Sequence, residues 1–376
     1  MNKLLRMFLV VAVLSLILSP LMAQGSKDVS TGPIVIGAVA ARTGDNAGLG
    51  EMQGYGAQLA AKEINAAGGV LGRSIELKFE DSQGVPAQAV AALNKLIYRD
   101  NVVAVIGDAQ SSPVLAMLPV IEKAGIPHLP HGTAPNICEQ GNPWVFRTRA
   151  NDDVKFGSLA LFLKDNGYSR IAVLHDSADY GIGGMKSIKE ALVSSPQTVV
   201  ADETFTPGDK DFSSQLLKVK ATNPDVLVLI GPMTDMGLAM KQARQMGLTM
   251  KFAGGAGIEG STTLDAAGGA GEGLIFAAGF ISSNPDPQVV SFVKSFIEIS
   301  GGKSPDDFAA TGYDSIYMLA EAIEKAGSTD PKAIEKALRE NTFKGVEGVF
   351  DFDSTGEGLH SMQFGIIKDG VPAFYN

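Results

Sequence analysis

An α/β fold of two similar lobes, each a parallel sheet covered on both faces, is predicted by three features of the sequence. Runs such as NVVAVI (Asn101 to Ile106) and VLVLI (Val226 to Ile230) are continuously apolar and β-branched, as in strands buried on both faces of a parallel sheet. Segments with apolar residues at helical spacing separate such runs, the βαβα alternation that implies a parallel sheet. The third feature is an internal echo. NVVAVIG (Asn101 to Gly107) and NPDVLVLIG (Asn223 to Gly231) both read as a strand that ends in glycine before a helix, so they occupy equivalent places in two lobes.

The chain of 376 residues begins with Lys3 and Arg6, an apolar run from Met7 to Leu18, a helix-breaking Pro20 and a small Ala23. That pattern is a secretory leader over residues 1–23. Its apolar run is too short to span a bilayer, and no later stretch is long and uncharged enough to do so. Lipid anchoring needs a cysteine at the cleavage site, and the single cysteine is Cys138. The mature protein is therefore expected to be soluble and periplasmic. One cysteine cannot form an internal disulfide, so stability must rest on core packing, and Cys138 reads as a small semi-buried apolar residue. The formal charge is −10, and losing Lys3 and Arg6 makes it more negative still. An acidic chain without a basic block argues against nucleic acid and anionic membranes as partners.

IVIGAV (Ile34 to Val39) opens the first lobe. A loop from Ala41 to Gly50 feeds a helix starting near Glu51, which Gly68 and Gly69 end. SIELKF (Ser74 to Phe79) is a strand and Pro86 to Arg99 a helix. The second series has a helix from Asp152 to Asn166, the strand RIAVLH (Arg170 to His175), the loop DSADYGIGG and a helix from Met185 to Val193. Strands follow at Thr198 to Thr204, Val226 to Ile230, around Phe252 and at Leu274 to Ala278. Residues 287–340 are mostly helical, and GVFDFD with HSMQFGIIKDG closes the chain as a hairpin-like pair. No flexible Gly/Ser linker joins the lobes, which is consistent with more than one short crossover.

Two loops carry the site hypothesis. GDAQSSP (Gly107 to Pro113) and PHGTAPN (Pro130 to Asn136) each follow a strand-like run and bring hydroxyls and free N–H groups to strand ends, where open α/β sheets bind ligands. Pro113 suits the first turn of a helix, with Ser111 or Ser112 as its N-cap and an anion welcome there. Other chemistry finds little support. GAGIEG (Gly255 to Gly260) matches the dinucleotide pattern, yet it lies late in the chain and the nearest later acid, Glu272, is not at a strand end. Its glycines read as a tight bend or a close approach to a ligand. His128, His131, His175 and His360 lack metal-ligand spacing, and there is no GxSxG elbow. No cofactor, no metal and no enzymatic activity are expected. Asp152 and Asp153 read as helix N-terminal charges.

INAAGGVLGRSIEL (Ile64 to Leu77), DSQGVPAQAVAALNKLI (Asp81 to Ile97), GIPHLPHGTAP (Gly125 to Pro135), HDSADYG (His175 to Gly181), GDKDFSSQLLKVKATNPDVL (Gly208 to Leu227) and GYDSIYMLAEAIEKAGSTDP (Gly312 to Pro331) together resemble the solute-binding proteins of branched-chain amino acid ABC importers. The resemblance covers nearly the whole mature chain. It implies two Rossmann-like lobes of the type I periplasmic binding protein kind, joined by three crossovers around an interlobe cleft. The first lobe would span 31–149 plus 280–346, the second 150–279 plus 347–376. It further implies a ligand carboxylate on Ser111 and Thr133, with Ser112 and Gly132 adjacent, and an ammonium on the backbone carbonyl of His131. Tyr180 would close the site from the second lobe, and Tyr313 joins the candidate ligand-binding set. Where the family has Asp or Glu to pair with the ammonium, this chain has Ala256, with Glu259 three residues on; Pro232 stands where an aromatic is frequent. The function so implied is a monomeric carrier that binds a branched-chain or hydrophobic amino acid by hinge closure and delivers it to ABC permease subunits. The alternatives are a small carboxylate or amide without an α-ammonium as ligand, or an exported sensor for a membrane receptor.

Overall fold

Strands of the first lobe are β1 (Ile34–Ala40), β2 (Ile75–Asp81), β3 (Ala104–Gly107) and β4 (His128–Leu129), all parallel in the order β2-β1-β3-β4. The second sheet contains β5 (Arg170–Asp176), β6 (Thr198–Phe205), β7 (Val226–Ile230), β8 (Lys251–Gly254) and β9 (Ile275–Ala278), parallel in the order β6-β5-β7-β8-β9. A separate hairpin pairs β10 (Thr342–Lys344) with β11 (Val349–Asp351). Finally β12 (Gln363–Lys368) and β13 (Val371–Phe374) extend the second sheet antiparallel beyond β9. This computed structural model describes residues 32–193, 198–255, 257–359 and 362–375. The leader at 1–23 and Ala256 lie outside the described residues.

Both sheets share one winding, in which the second strand lies outside the first and the third lies on the first strand's other side. Thus β3 and β7 do occupy equivalent places, as their sequence echo predicts. Burial on both faces is equally plain. Leu227 and Leu229 of β7 pack with Leu216, Met236 and Met240, while Val226, Val228 and Ile230 pack with Phe156, Leu159 and Ile188 on the other face. In β1, Ile34, Ile36 and Ala38 face one core and Val39 the other. Each fully buried side chain of this kind is worth about 1.5–3 kcal/mol, so neither face tolerates a register slip. In the first lobe, the helices Ala47–Ala66 and Asp307–Ala326 pack backbone to backbone. A Cβ at Gly56 or Gly312 would run into the facing helix's main chain.

The chain passes between the sheets after β4, after β9 and before β12, and buried ion pairs tie these passages together. Arg147 Nε donates to Glu357 Oε2 at 2.8 Å, and Arg147 Nη1 to the Ala134 carbonyl at 2.7 Å. Asp307 Oδ2 accepts from Arg149 Nε and Nη2 at 3.0 and 2.6 Å, while its Oδ1 accepts from the Gly279 and Phe280 amides at 2.7 and 3.0 Å. One carboxylate at the start of a helix thereby holds two passages. The second lobe was expected to resume at residue 347. Phe350, Phe352 and Leu359 instead pack in the first lobe's core, and the return strand begins at Gln363.

Three local readings are corrected. GVFDFD and HSMQFGIIKDG do not pair, because β11 takes β10 as partner and β12 takes β9 and β13. The helix read as starting at Met185 starts at Asp179. Gly181, Gly183 and Gly184 weaken helix propensity, yet close packing requires two of them: a Cβ on Gly181 would run into the Asp176 carbonyl oxygen, and one on Gly184 would lie 2.6 Å from the Phe156 ring. Cys138 is not semi-buried but 1% exposed, beside Ile137 and Val145, and burial pushes its thiol up to about 12.

Candidate functional site

A winding in which the chain leaves the first strand one way and the third the other opens a crevice at the strand carboxyl ends. Each sheet has such a crevice, and the two face each other across one cavity of about 400 Å3. From the first lobe come Asn46 and Leu49 after β1, Ala109 to Pro113 after β3, and Thr133 after β4. From the second come Asp176, Ala178 and Tyr180 after β5, Gly231 to Met233 after β7, and Gly255, Gly257 and Ile258 after β8. Phe308, Arg149 and Lys155 also line it. A volume of this size fits a small ligand.

The two polar loops do meet here. The helix after β3 runs Ser111–Ala124, with Pro113 in its first turn as expected. Its N-cap is Gln110, without a side-chain bond, so neither serine caps it. Ser111 Oγ instead accepts from the Ala134 amide at 3.1 Å, locking one loop to the other. Ser112 Oγ donates to Asp179 Oδ2 at 2.8 Å, a bond between helices of opposite lobes. Thr133 Oγ1 accepts from Lys155 Nζ at 3.1 Å. Gly132 lies behind the wall; a Cβ there would meet Ser111 Cα at 3.1 Å, so its bareness lets the loops touch. Tyr180 lines the cavity from the first turn of its helix, its ring 6.0 Å from that of Phe156. Burial, then the charge of Asp152, holds its phenol well above the ordinary range, so it is a neutral donor.

Other candidates fall elsewhere. The His131 carbonyl already accepts from Arg149 Nη1 at 3.2 Å, and its ring, held neutral by burial, bonds Ser315 Oγ at 3.0 Å. Glu259 is buried behind the wall, its Oε2 accepting the Gly257 amide at 2.7 Å. Burial, then the charges of Asp307 and Asp306, push it up to about 8. Tyr313 does not line the cavity. Its hydroxyl donates to Glu63 Oε2 at 2.6 Å and its ring packs 4.6 Å from Phe292 in the first lobe's core. A tyrosine at helical spacing with Ile316 and Ala320 is ordinary core.

Sequence reasoning passed over the two buried cations of the wall. Lys155 is 1% exposed, with Nζ 2.8 Å from Asp152 Oδ1 and 4.8 Å from the centre of the Tyr180 ring. Arg149 is 4% exposed and stacks 4.2 Å over Phe308. Lys155 was legible: it falls on the same helical face as Leu159 and Leu163, where an apolar residue belongs. Asp152 is its ion-pair partner, and the N-cap is Asn151, whose Oδ1 accepts from Val154. The glycines of GAGIEG serve close approach, since a Cβ at Gly255 would stand 2.9 Å from Lys155 Cδ, and Gly257 has φ +97°.

Two α/β lobes that enclose a small-molecule cavity between their strand ends define a hinged ligand-binding protein. The family model described as periplasmic binding protein matches residues 33–371, and the chain belongs to that family. It is 32% identical over 372 residues to the leucine-, isoleucine-, valine-, threonine- and alanine-binding protein of Pseudomonas aeruginosa, covering 98% of this chain and 96% of that one. Among solved structures it resembles a leucine-binding protein of Thermotoga maritima, with TM-score 0.85 and 30% identity over 91% of this chain and 98% of the other. It also resembles a branched-chain amino acid transporter substrate-binding protein of Streptococcus pneumoniae in complex with isoleucine, with TM-score 0.84 and 28% identity over 90% and 97%. These relatives are solute-binding proteins.

Proposed function

We propose that the chain is the exported solute-binding component of an ABC importer, performs no chemistry, and closes on an amino acid or related small acid held by its carboxylate. The observation that carries this reading is the cavity, in which Ser111 and Thr133 from two adjacent loops of one lobe face Tyr180 and Pro232 of the other. The amino acids named for the relatives are the first ligands to test. Closure follows from contacts to both lobes, because a ligand that touches both favours the state in which they meet. Export relies on the leader at residues 1–23, and delivery on the membrane permease subunits to which such carriers dock. The test is thermal unfolding against a panel of aliphatic and aromatic amino acids, carboxylates and amides. A true ligand at about a thousand times its dissociation constant adds roughly 4 kcal/mol. Ser111→Ala and Thr133→Ala should each abolish that gain, read against the variant's own apo midpoint, which falls because the Ala134 amide or the Lys155 ammonium loses its acceptor; an unchanged gain removes them from the site.

A further inference from the structure

The cavity wall carries one charge that nothing in the protein answers. Arg149 and Lys155 line it, but each is neutralised by a buried acid, Arg149 by Asp307 at 2.6 Å and Lys155 by Asp152 at 2.8 Å. Asp176, the carboxylate of the lining, has no such partner. It is 3% exposed, and its Oδ1 accepts from the Ala178 and Gly181 amides at 2.8 and 3.2 Å. Its Oδ2 has no hydrogen bond or ion pair among the described residues. Neighbouring basic groups are engaged elsewhere: the His175 ring bonds Asp202 Oδ1 at 3.1 Å, and Lys210 stands 3.9 Å from Asp235. Burial raises the Asp176 carboxyl to about 6, so at pH 7 it is mostly ionised. Glu259 lies behind the wall and, raised to about 8 by burial, is mostly uncharged at that pH. Residue 256 is alanine. The bond between Ser112 and Asp179 holds the first turn of the Asp179 helix against the first lobe, and Asp176 lies under that turn, across the cavity from Ser111. Buried charges are ordinarily paired. A ligand bringing a carboxylate alone would add a second negative charge to this cavity with little water to screen it, whereas a ligand that also brings an ammonium answers the first.

We propose that Asp176 is the counter-ion of an ammonium on the ligand, so that the cleft takes a small amino acid in preference to the same acid without its amine. This rests on the solute-binding reading above and names a specificity-determining residue of the same cleft. Asp176 belongs to the second lobe, and Ser111 and Thr133 to the first. A ligand with both charges therefore bridges the lobes, while a deaminated acid engages one of them by charge and favours closure less.

Calorimetric titration of the ligand-stripped protein with leucine, valine and phenylalanine, each beside its deaminated acid, and with δ-aminovalerate beside valerate, tests the inference with skeletons held constant. In at least one pair the amine should bind more tightly than its deaminated acid by about tenfold or more, and the pair in which it does so tells an α-ammonium from a distal one. Asp176→Asn keeps an oxygen for the Ala178 and Gly181 amides and removes the charge. It should weaken that amine about tenfold to hundredfold, the range for a lost charge-assisted hydrogen bond, and should not weaken the deaminated acid. If Asp176→Asn fails to fold, Asp176→Ser, whose hydroxyl can take the Ala178 amide, serves in its place. Glu259→Gln should leave the preference for the amine as it is. Deaminated acids binding as tightly as their amines, an amine indifferent to Asp176, or a preference lost with Glu259 instead, would overturn the inference while leaving the solute-binding reading intact. Binding by no member of either series would overturn both.

Discussion

Asp307→Asn should destabilise the folded protein by about 3 kcal/mol. The substitution keeps shape, and an amide oxygen at the Oδ1 position can still accept the Gly279 and Phe280 N–H groups at 2.7 and 3.0 Å. What it removes is the charge facing Arg149, whose Nε and Nη2 lie 3.0 and 2.6 Å away on a side chain 4% exposed. Leaving one member of a buried pair uncompensated costs about 3–5 kcal/mol. The lower end applies because Glu347, held protonated by burial and then by the Asp307 charge, can ionise and recover part of the loss. Urea unfolding followed by far-UV circular dichroism and by the fluorescence of the lone Trp144 would measure it. Arg149→Met in the same chain removes both charges and should return most of the loss, leaving the unbonded His131 carbonyl to cost about 1 kcal/mol. A single variant within 1 kcal/mol of wild type, or a double variant whose loss is the sum of the singles, would refute the argument that this pair staples the passages.

Stability should fall as pH rises from 6.5 to 8. Glu259 is raised to about 8, Asp314 to about 7 and Glu347 well above its usual range, all by burial first, so the folded state holds protons that the unfolded state has released. Each contributes up to about 1.4 kcal/mol per pH unit over its window. His128, lowered to about 4, and His131, lowered well below its usual range, both by burial, act oppositely, but their effect fades by about pH 7.5 as the unfolded imidazoles lose their protons, and the three carboxyls outweigh it. Urea midpoints at the two ends would show it, Glu259→Gln should shrink the fall, and a rise would contradict the assignment. Tyr313→Phe should cost about 1 kcal/mol by losing the bond to Glu63 and leave ligand affinity unchanged in titration; weaker binding would return Tyr313 to the site. Gly184→Ala should cost about 1–3 kcal/mol in the same urea assay, since its Cβ would press on Phe156 and Ile230, and a neutral result would mean that the helix shifts freely.

Much of the architecture was readable because burial on both faces leaves a continuous apolar run, as in VLVLI, whatever the neighbouring helices do. The two loops after β3 and β4 were readable for a related reason, since strand ends in such sheets are where polar residues gather. What escaped was decided by contacts between distant segments. The helix from Asp179 carries glycines where Asp176 and Phe156 come close, and its first amides bond Asp176 Oδ1, contacts that helix propensity does not encode. GVFDFD was given the wrong partner because alternation marks a strand without saying what it pairs with. Tyr313 was placed by resemblance, and only its neighbours Glu63 and Phe292 show that it is core. Lys155 could have been found from periodicity alone, as a charge on a face reserved for leucines.

The burial of Cys138 has a practical consequence. Its thiol is 1% exposed and held protonated up to about 12, so maleimide dyes will pass it by at neutral pH. A fluorophore pair can then be attached through cysteines engineered at Val85 of the first lobe and Ile182 of the second, both exposed at 44% and 56%. The distance between donor and acceptor reports hinge angle one molecule at a time, in a chain whose native sulfur stays silent.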